Sequence, residues 1–242
     1  MIGTAGFFKN MFLKKIYEQK GVQDSVLENL DAAEKIDEDT PLEEAEYVVI
    51  DTELTGLKLK KDSIVSIGAV RMSGRKIDLG DSFYRLVEPR TELTGKSVVI
   101  HEITPGEAAE WPDIEVLLPE FIEFCGSRIV VGHVVSIDLG FINMEMKRLY
   151  GFPLQNPAVD TYKTYRWIRK KEEECCAYHG GMTEEADLFT LAKKYEIPVN
   201  GVHHALKDAF VAAQLFQRLM TALPGFGIRT VGDLLRIGKP AR

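Results

Sequence analysis

The stretch Tyr47-Val-Val-Ile-Asp51-Thr-Glu53-Leu-Thr-Gly-Leu57 runs an apolar segment straight into two carboxylates. Tyr47 to Ile50 is continuously apolar, as expected of a strand covered on both faces. Side chains alternate along a strand, so residues 51 and 53 share a face, where their carboxylates are close enough to share divalent cations. Without a cation the two acids would repel each other and lose hydration on burial. The spacing fits metal ligands, and it equally fits a strand end with exposed acids. What stands downstream decides between them.

Around this stretch the pattern is that of a mixed sheet. Ile64 to Val70 and Ile77 to Val87 follow at hairpin-like spacing, with Ser73-Gly74 as the turn. A helix is expected with Pro112 in its first turn and an end near Gly126. The short buried strand Arg128 to Gly132 comes next, then a helix with Ser136 as N-cap and a buried stripe of Leu139, Ile142, Met146 and Leu149. Ala158-Val-Asp160 is a further strand. Helices follow through Tyr165 and Ile168, from Leu188 to Tyr195, and from about Ala205 to Leu223. Strands first, then strands alternating with helices, indicate an α/β domain.

The 242 residues carry a net charge of -7, which argues against a broad basic surface for nucleic acid. Residues 1–46 hold 5 Lys and 11 acidic residues, so the acidity sits mainly in the N-terminal part. The expected division is an extension at 1–45, with a basic amphipathic helix and an acidic linker, a domain at 46–221, and a tail at 222–242. Phe8, Met11, Phe12 and Ile16 fall at helical spacing in the extension, a pattern that serves packing on the domain or contact with a membrane or partner. No run approaches the ~20 apolar residues of a membrane span, and a soluble, cytoplasmic protein is expected. Cys125, Cys175 and Cys176 give no disulfide framework, and no Cys-x-x-Cys pair supports a zinc site with His179. In the tail, Pro224-Gly-Phe-Gly227 and the segment after it read as half a helix-hairpin-helix or as a packing helix.

Two more segments carry chemistry. Asp138 falls in the first turn of the helix after residue 132, where an acid complements the helix dipole. Ile142, one turn later on the inward stripe, directs Asp138 toward the sheet edge, where open α/β sheets bind ligands. His203-His-Ala-Leu-Lys-Asp208 opens the long helix. If both ends were helical they would lie about 140° apart and could not share a target. His203 is therefore expected in the loop before the helix, with Asp208 inside it.

In order and spacing, Asp51-Thr-Glu53, Asp138 with Phe141, and His203-x-Ala-Leu-x-Asp208 resemble the three motifs of the DEDDh (DnaQ-like) 3'-5' exonucleases. That family includes the epsilon proofreading subunit of bacterial DNA polymerase III, RNase T and oligoribonuclease. The resemblance covers about residues 46–221 and implies an RNase H-like mixed sheet, an antiparallel meander followed by parallel strands, flanked by helices. It implies two divalent cations, Mg²⁺ or Mn²⁺, about 3.5 to 4 Å apart. Asp51 would bridge them, Glu53 and Asp208 would complete the nucleophile side, and Asp138 would hold the other. His203 would accept the proton of the attacking water. The residues implied against the terminal nucleotide are Thr52, Leu54, Thr55, Gly56, Leu57, His133 and Phe141, with His133 in a supporting role. Val134 stands where many relatives have Asn, Ile137 where many have Phe, and Leu54 replaces a frequent Thr. His101 matches a family loop segment and reads as structural.

The implied activity releases nucleoside 5'-monophosphates from single-stranded or frayed 3' ends, DNA favoured. An RNA-directed 3'-5' exoribonuclease of the same chemistry and a polymerase-associated binding subunit are the alternatives.

Overall fold

In the computed structural model, β1 (Glu46–Leu54) continues through both carboxylates of the opening stretch. The residues described are 10, 13–14, 16–18, 21–91, 108–176, 187–199, 201 and 203–240. His101, His179 and the Gly180-Gly181 pair lie outside them, as do Phe8, Met11 and Phe12.

β1 pairs antiparallel with β2 (Ile64–Ser73), which pairs antiparallel with β3 (Lys76–Leu86). On its other side β1 runs parallel to β4 (Ile129–Gly132), and β4 to β5 (Ala158–Asp160). The order β3-β2-β1-β4-β5 is the expected mixed sheet. The hairpin joining β2 and β3 needs Gly74, whose φ is 52° and where a Cβ would lie 2.2 Å from the Glu43 carbonyl oxygen.

Alternation along β1 sets the layers. Val48 and Ile50 pack with α1 (Asp24–Asn29), α2 (Ile114–Cys125) and α3 (Ser136–Tyr150). Tyr47 and Val49 pack on the opposite face with α4 (Thr161–Cys176), α5 (Leu188–Lys194), α6 (Ala205–Ala222) and α7 (Val231–Gly238). Asp51 and Glu53 continue the odd-numbered series toward α6, and Thr52 the even-numbered series toward α3.

Two helix starts differ from expectation. Asp113 caps α2 by accepting the Glu115 N–H at 2.8 Å, so Pro112 lies ahead of the first turn. Ser136 is the first residue of α3, and Val135 occupies its N-cap. The buried face of α3 is Asp138, Phe141, Ile142, Glu145 and Met146. Of the expected stripe, Ile142 and Met146 are buried and Leu139 and Leu149 pack partly buried against the same core; two acids share the buried face, where Thr52 binds Asp138 and Arg148 binds Glu145 at 2.8 Å.

The extension packs on its own domain, since the Tyr17 hydroxyl donates to the Tyr150 carbonyl at 2.5 Å and its ring lies 5.8 Å from Phe152. Further along, the Leu42 N–H donates to the Arg229 carbonyl, while the Val231 and Gly232 N–H groups donate to Thr40 and Glu38. Leu223, Ile228, Val231 and Leu234 are buried in the core, as a packing tail requires. A helix-hairpin-helix would offer its turn N–H groups to a phosphate. Here Gly227 and Ile228 donate to Pro224 and Leu223, and Arg229 and Thr230 to the Asp233 carboxylate. Among the described residues no helix is long and apolar enough to cross a membrane.

Candidate active site

The carboxyl ends of β1 and β4 and the first turns of α3 and α6 meet around one group of acids. Asp138 approaches from the α3 side, and one of its oxygens accepts both the Thr52 N–H at 2.9 Å and the Thr52 hydroxyl at 2.6 Å. Thr52 thus fastens Asp138 to the strand that carries Asp51 and Glu53. From the other face, α6 brings Asp208 in its first turn. Gly68 on β2 makes that approach possible, because a Cβ there would lie 2.2 Å from the backbone of Ala205 and Leu206.

His203 precedes α6 in the left-handed region, with φ 59°, and Asp208 is within the helix, the arrangement expected from their spacing. The His203 N–H donates to one Asp208 oxygen at 3.0 Å. The other oxygen is buried and has no hydrogen-bond partner among the described residues. Ligand atoms of Glu53, His203 and Asp208 lie within 4.8 Å of one another. Asp51 is outside this tightest set but stands in the field of the other acids. Burial first, then the charges of Asp138, Glu53 and Asp208, hold its carboxyl well above the usual range. Burial pushes Asp138 up to about 7 against the opposing Thr52 hydrogen bonds. Burial and the Glu53 charge push Asp208 up to about 6, moderated by the His203 N–H.

Carboxylates forced together, one with an orphaned buried oxygen, form an unfavourable cluster on their own. Hard oxygen donors converging beside an imidazole suit a divalent cation, whose charge would reverse each of these penalties.

The loop after β1 has its own construction. The Thr55 hydroxyl accepts the Ser63 N–H at 2.9 Å and meets the Thr91 hydroxyl at 3.0 Å. Gly56 makes room for Asp62, since a Cβ would lie 2.6 Å from that carboxylate, which takes the Lys58 N–H. Leu57 is left 73% exposed, and Leu59 lies over Gly140 at the start of α3, where Ile137 is also exposed. Leu54 and Phe141 point elsewhere. Both belong to the apolar core shared with α2 and α3, with Phe141 only 1% exposed, and their place there is packing.

The His133 Nδ1 lies 2.9 Å from the Thr161 hydroxyl, which fixes the ring beside β5. Next to it Val134 adopts φ 53°, and its N–H donates to the buried Asp160 carboxylate at 3.1 Å. Left-handed geometry is costly for a β-branched residue. Sequence reasoning placed Asp160 at a strand end without a role in holding Val134, and passed over Gly68. A glycine within an otherwise apolar strand was the available signal for the second.

A family model described as RNase_T, exonuclease, matches residues 48–216. The DNA polymerase III subunit epsilon of Aquifex aeolicus is 34% identical over 194 residues, covering 80% of this chain and 90% of that protein. A PolC-type DNA polymerase III from Caldanaerobacter subterraneus subsp. tengcongensis is 30% identical over 191 residues, 79% of this chain, which spans only 13% of its length. Among solved structures, exonuclease X in complex with 5' overhanging duplex DNA shares the fold at TM-score 0.59 and 24% identity, covering 79% of this chain and 98% of the other.

Proposed function

This chain belongs to the exonuclease family as a DnaQ-like 3'-5' exonuclease, and we propose that it uses two divalent cations to release nucleoside 5'-monophosphates from single-stranded or frayed DNA 3' ends. The observation that carries the metal dependence is the orphaned Asp208 oxygen, buried where Glu53 and His203 converge. Asp51, Glu53 and Asp208 would hold cations from the α6 side of the sheet, and Asp138 from the α3 side through the oxygen that Thr52 leaves unoccupied. When bound, the cations supply the positive charge that the scissile phosphate and the departing 3' oxygen require.

The chain's own groups supply the rest. His203, exposed on its loop, takes the proton of the attacking water, as a neutral imidazole can near neutral pH. Thr52 keeps Asp138 in register with β1. Thr55 braces the loop that presents Gly56 and Leu57 to the terminal nucleotide, and the exposed Leu57 offers a base an apolar contact.

The preference for DNA is supported by the relative named as DNA polymerase III subunit epsilon, nearly all of which the chain covers. The same relationship supports a polymerase as protein partner. The test is digestion of matched 5'-labelled DNA and RNA oligomers with Mg²⁺ or EDTA, with the products identified. Expected are 5'-monophosphates, faster turnover of DNA and no turnover in EDTA. A roughly tenfold preference for RNA, equivalent to ~1.4 kcal/mol in the barrier, would overturn the DNA assignment. Activity undiminished by EDTA would overturn the metal dependence.

A further inference from the structure

His203 must hold a left-handed backbone in an exposed loop; among the described residues its N–H donates to Asp208 and its ring edge lies 6.0 Å from Phe189. The next residue is anchored more firmly. His204, at the N-cap of α6, stacks on Tyr84 of β3 with ring centroids 4.4 Å apart and planes 21° from parallel. The sheet register explains the meeting. Tyr84 pairs with Gly68, the residue on which the start of α6 rests, so its ring stands on the face where the helix lands.

We propose that Tyr84 is a positioning residue: by stacking on His204 it fixes the loop that aims His203 at Glu53 and Asp208. The inference rests on His203 acting as proton acceptor in the reading above. The His204 side chain makes no N-cap hydrogen bond, so its ring serves the stack and not the helix end. An offset aromatic pair tolerates exchange of one ring for another but not removal of either ring. Loosening the loop by an ångström costs turnover more than substrate binding, because the substrate's own contacts lie on the Thr55–Leu57 loop.

The experiment is steady-state digestion of a single-stranded DNA oligomer in Mg²⁺ by wild type, Tyr84→Phe, Tyr84→Leu, His204→Phe and His204→Ala, each with a melting curve. Tyr84→Leu and His204→Ala are expected to lower kcat about 10- to 100-fold with KM within about twofold. Tyr84→Phe and His204→Phe are expected to stay within about threefold of wild type. The double variant Tyr84→Leu/His204→Ala should be no worse than either single one, since one stack is lost in each case. Additive losses, a rise in KM in place of the fall in kcat, or a Tyr84→Phe as damaged as Tyr84→Leu would overturn the proposal. The two aromatic replacements keep the test decisive if a truncated variant fails to fold. An active wild type with an undamaged Tyr84→Leu removes this inference alone, whereas an inactive wild type removes the exonuclease reading beneath it.

Discussion

Two helix starts in this chain carry an aspartate in the first turn and put it to opposite uses. In α7, Asp233 is half-buried; its carboxylate accepts the Arg229 and Thr230 N–H groups while Thr230 accepts the Asp233 N–H, a reciprocal cap. Those hydrogen bonds, led by Arg229, hold its carboxyl below the usual range. In α6, Asp208 is buried, gives one oxygen to the His203 N–H and leaves the other without a partner, and burial lifts its carboxyl to about 6. One acid completes a helix within its own chain, and the other keeps an oxygen that nothing among the described residues satisfies. An acid in a first turn gains from the helix dipole in both places, so the dipole does not distinguish them. Satisfaction of the oxygens does.

The largest effect should come from Asp208→Asn. It is expected to lower turnover on the order of a thousandfold, as loss of a transition-state charge contact does. Melting of the metal-free protein should stay put or rise, because an uncompensated buried charge has been removed. Kinetics beside a thermal melt in EDTA check both halves. Gly68→Ala comes next: the added methyl meets the backbone of Ala205 and Leu206, which is expected to cost about 1–3 kcal/mol and to shift α6 enough to slow turnover about a hundredfold. Denaturant unfolding and kcat measure those outcomes. At the other helix, Thr230→Ala removes the cap and should cost about 1 kcal/mol with activity unchanged. A loss of activity there would dissolve the contrast between the two helix starts. Smallest of all, Val134→Asn should stabilise by about 1 kcal/mol or less by relieving the left-handed backbone, with the Asp160 hydrogen bond and turnover retained. A lower unfolding midpoint in that variant would contradict the strain assigned to Val134.

The comparison also shows which parts of the site were legible in the sequence. Asp51 and Glu53 could be placed on one face by alternation alone. The five-residue gap between His203 and Asp208 dictated one residue in the loop and one in the helix, as found. The order of strands and helices followed from apolar runs and from turns at Gly74, Gly126 and Gly151. What escaped depended on partners that only the fold brings together. On α3 the stripe with Ile142 and Met146 and the inward Asp138 were legible, whereas the burial of Glu145 depends on Arg148 and was not. Leu54 and Phe141 look like neighbours of the site when counted along the chain but belong to the core. That Gly56 also makes room for the Asp62 carboxylate is not visible from its place along the chain. Tyr84 meets His204 only through the register of β2 with β3 and the landing of α6, and no local pattern announces that.

The central claim is that the acids gathered on β1, α3 and α6 are out of balance until cations join them, and stability against pH tests it most directly. In the metal-free protein, Asp138 and Asp208 keep their protons to about 7 and about 6 when folded but release them near 4 when unfolded. At these two acids the folded state therefore binds more protons in that window, and their contribution to stability falls as pH rises from about 4 to about 7. Unfolding of wild type should be followed across this range in EDTA and again in Mn²⁺. The account predicts a decline with rising pH in EDTA, its reversal by Mn²⁺ with the largest gain near pH 7, and a much smaller gain in Asp208→Asn. A metal-free protein that grows more stable toward pH 7, or a wild type whose unfolding is indifferent to Mn²⁺, would contradict it.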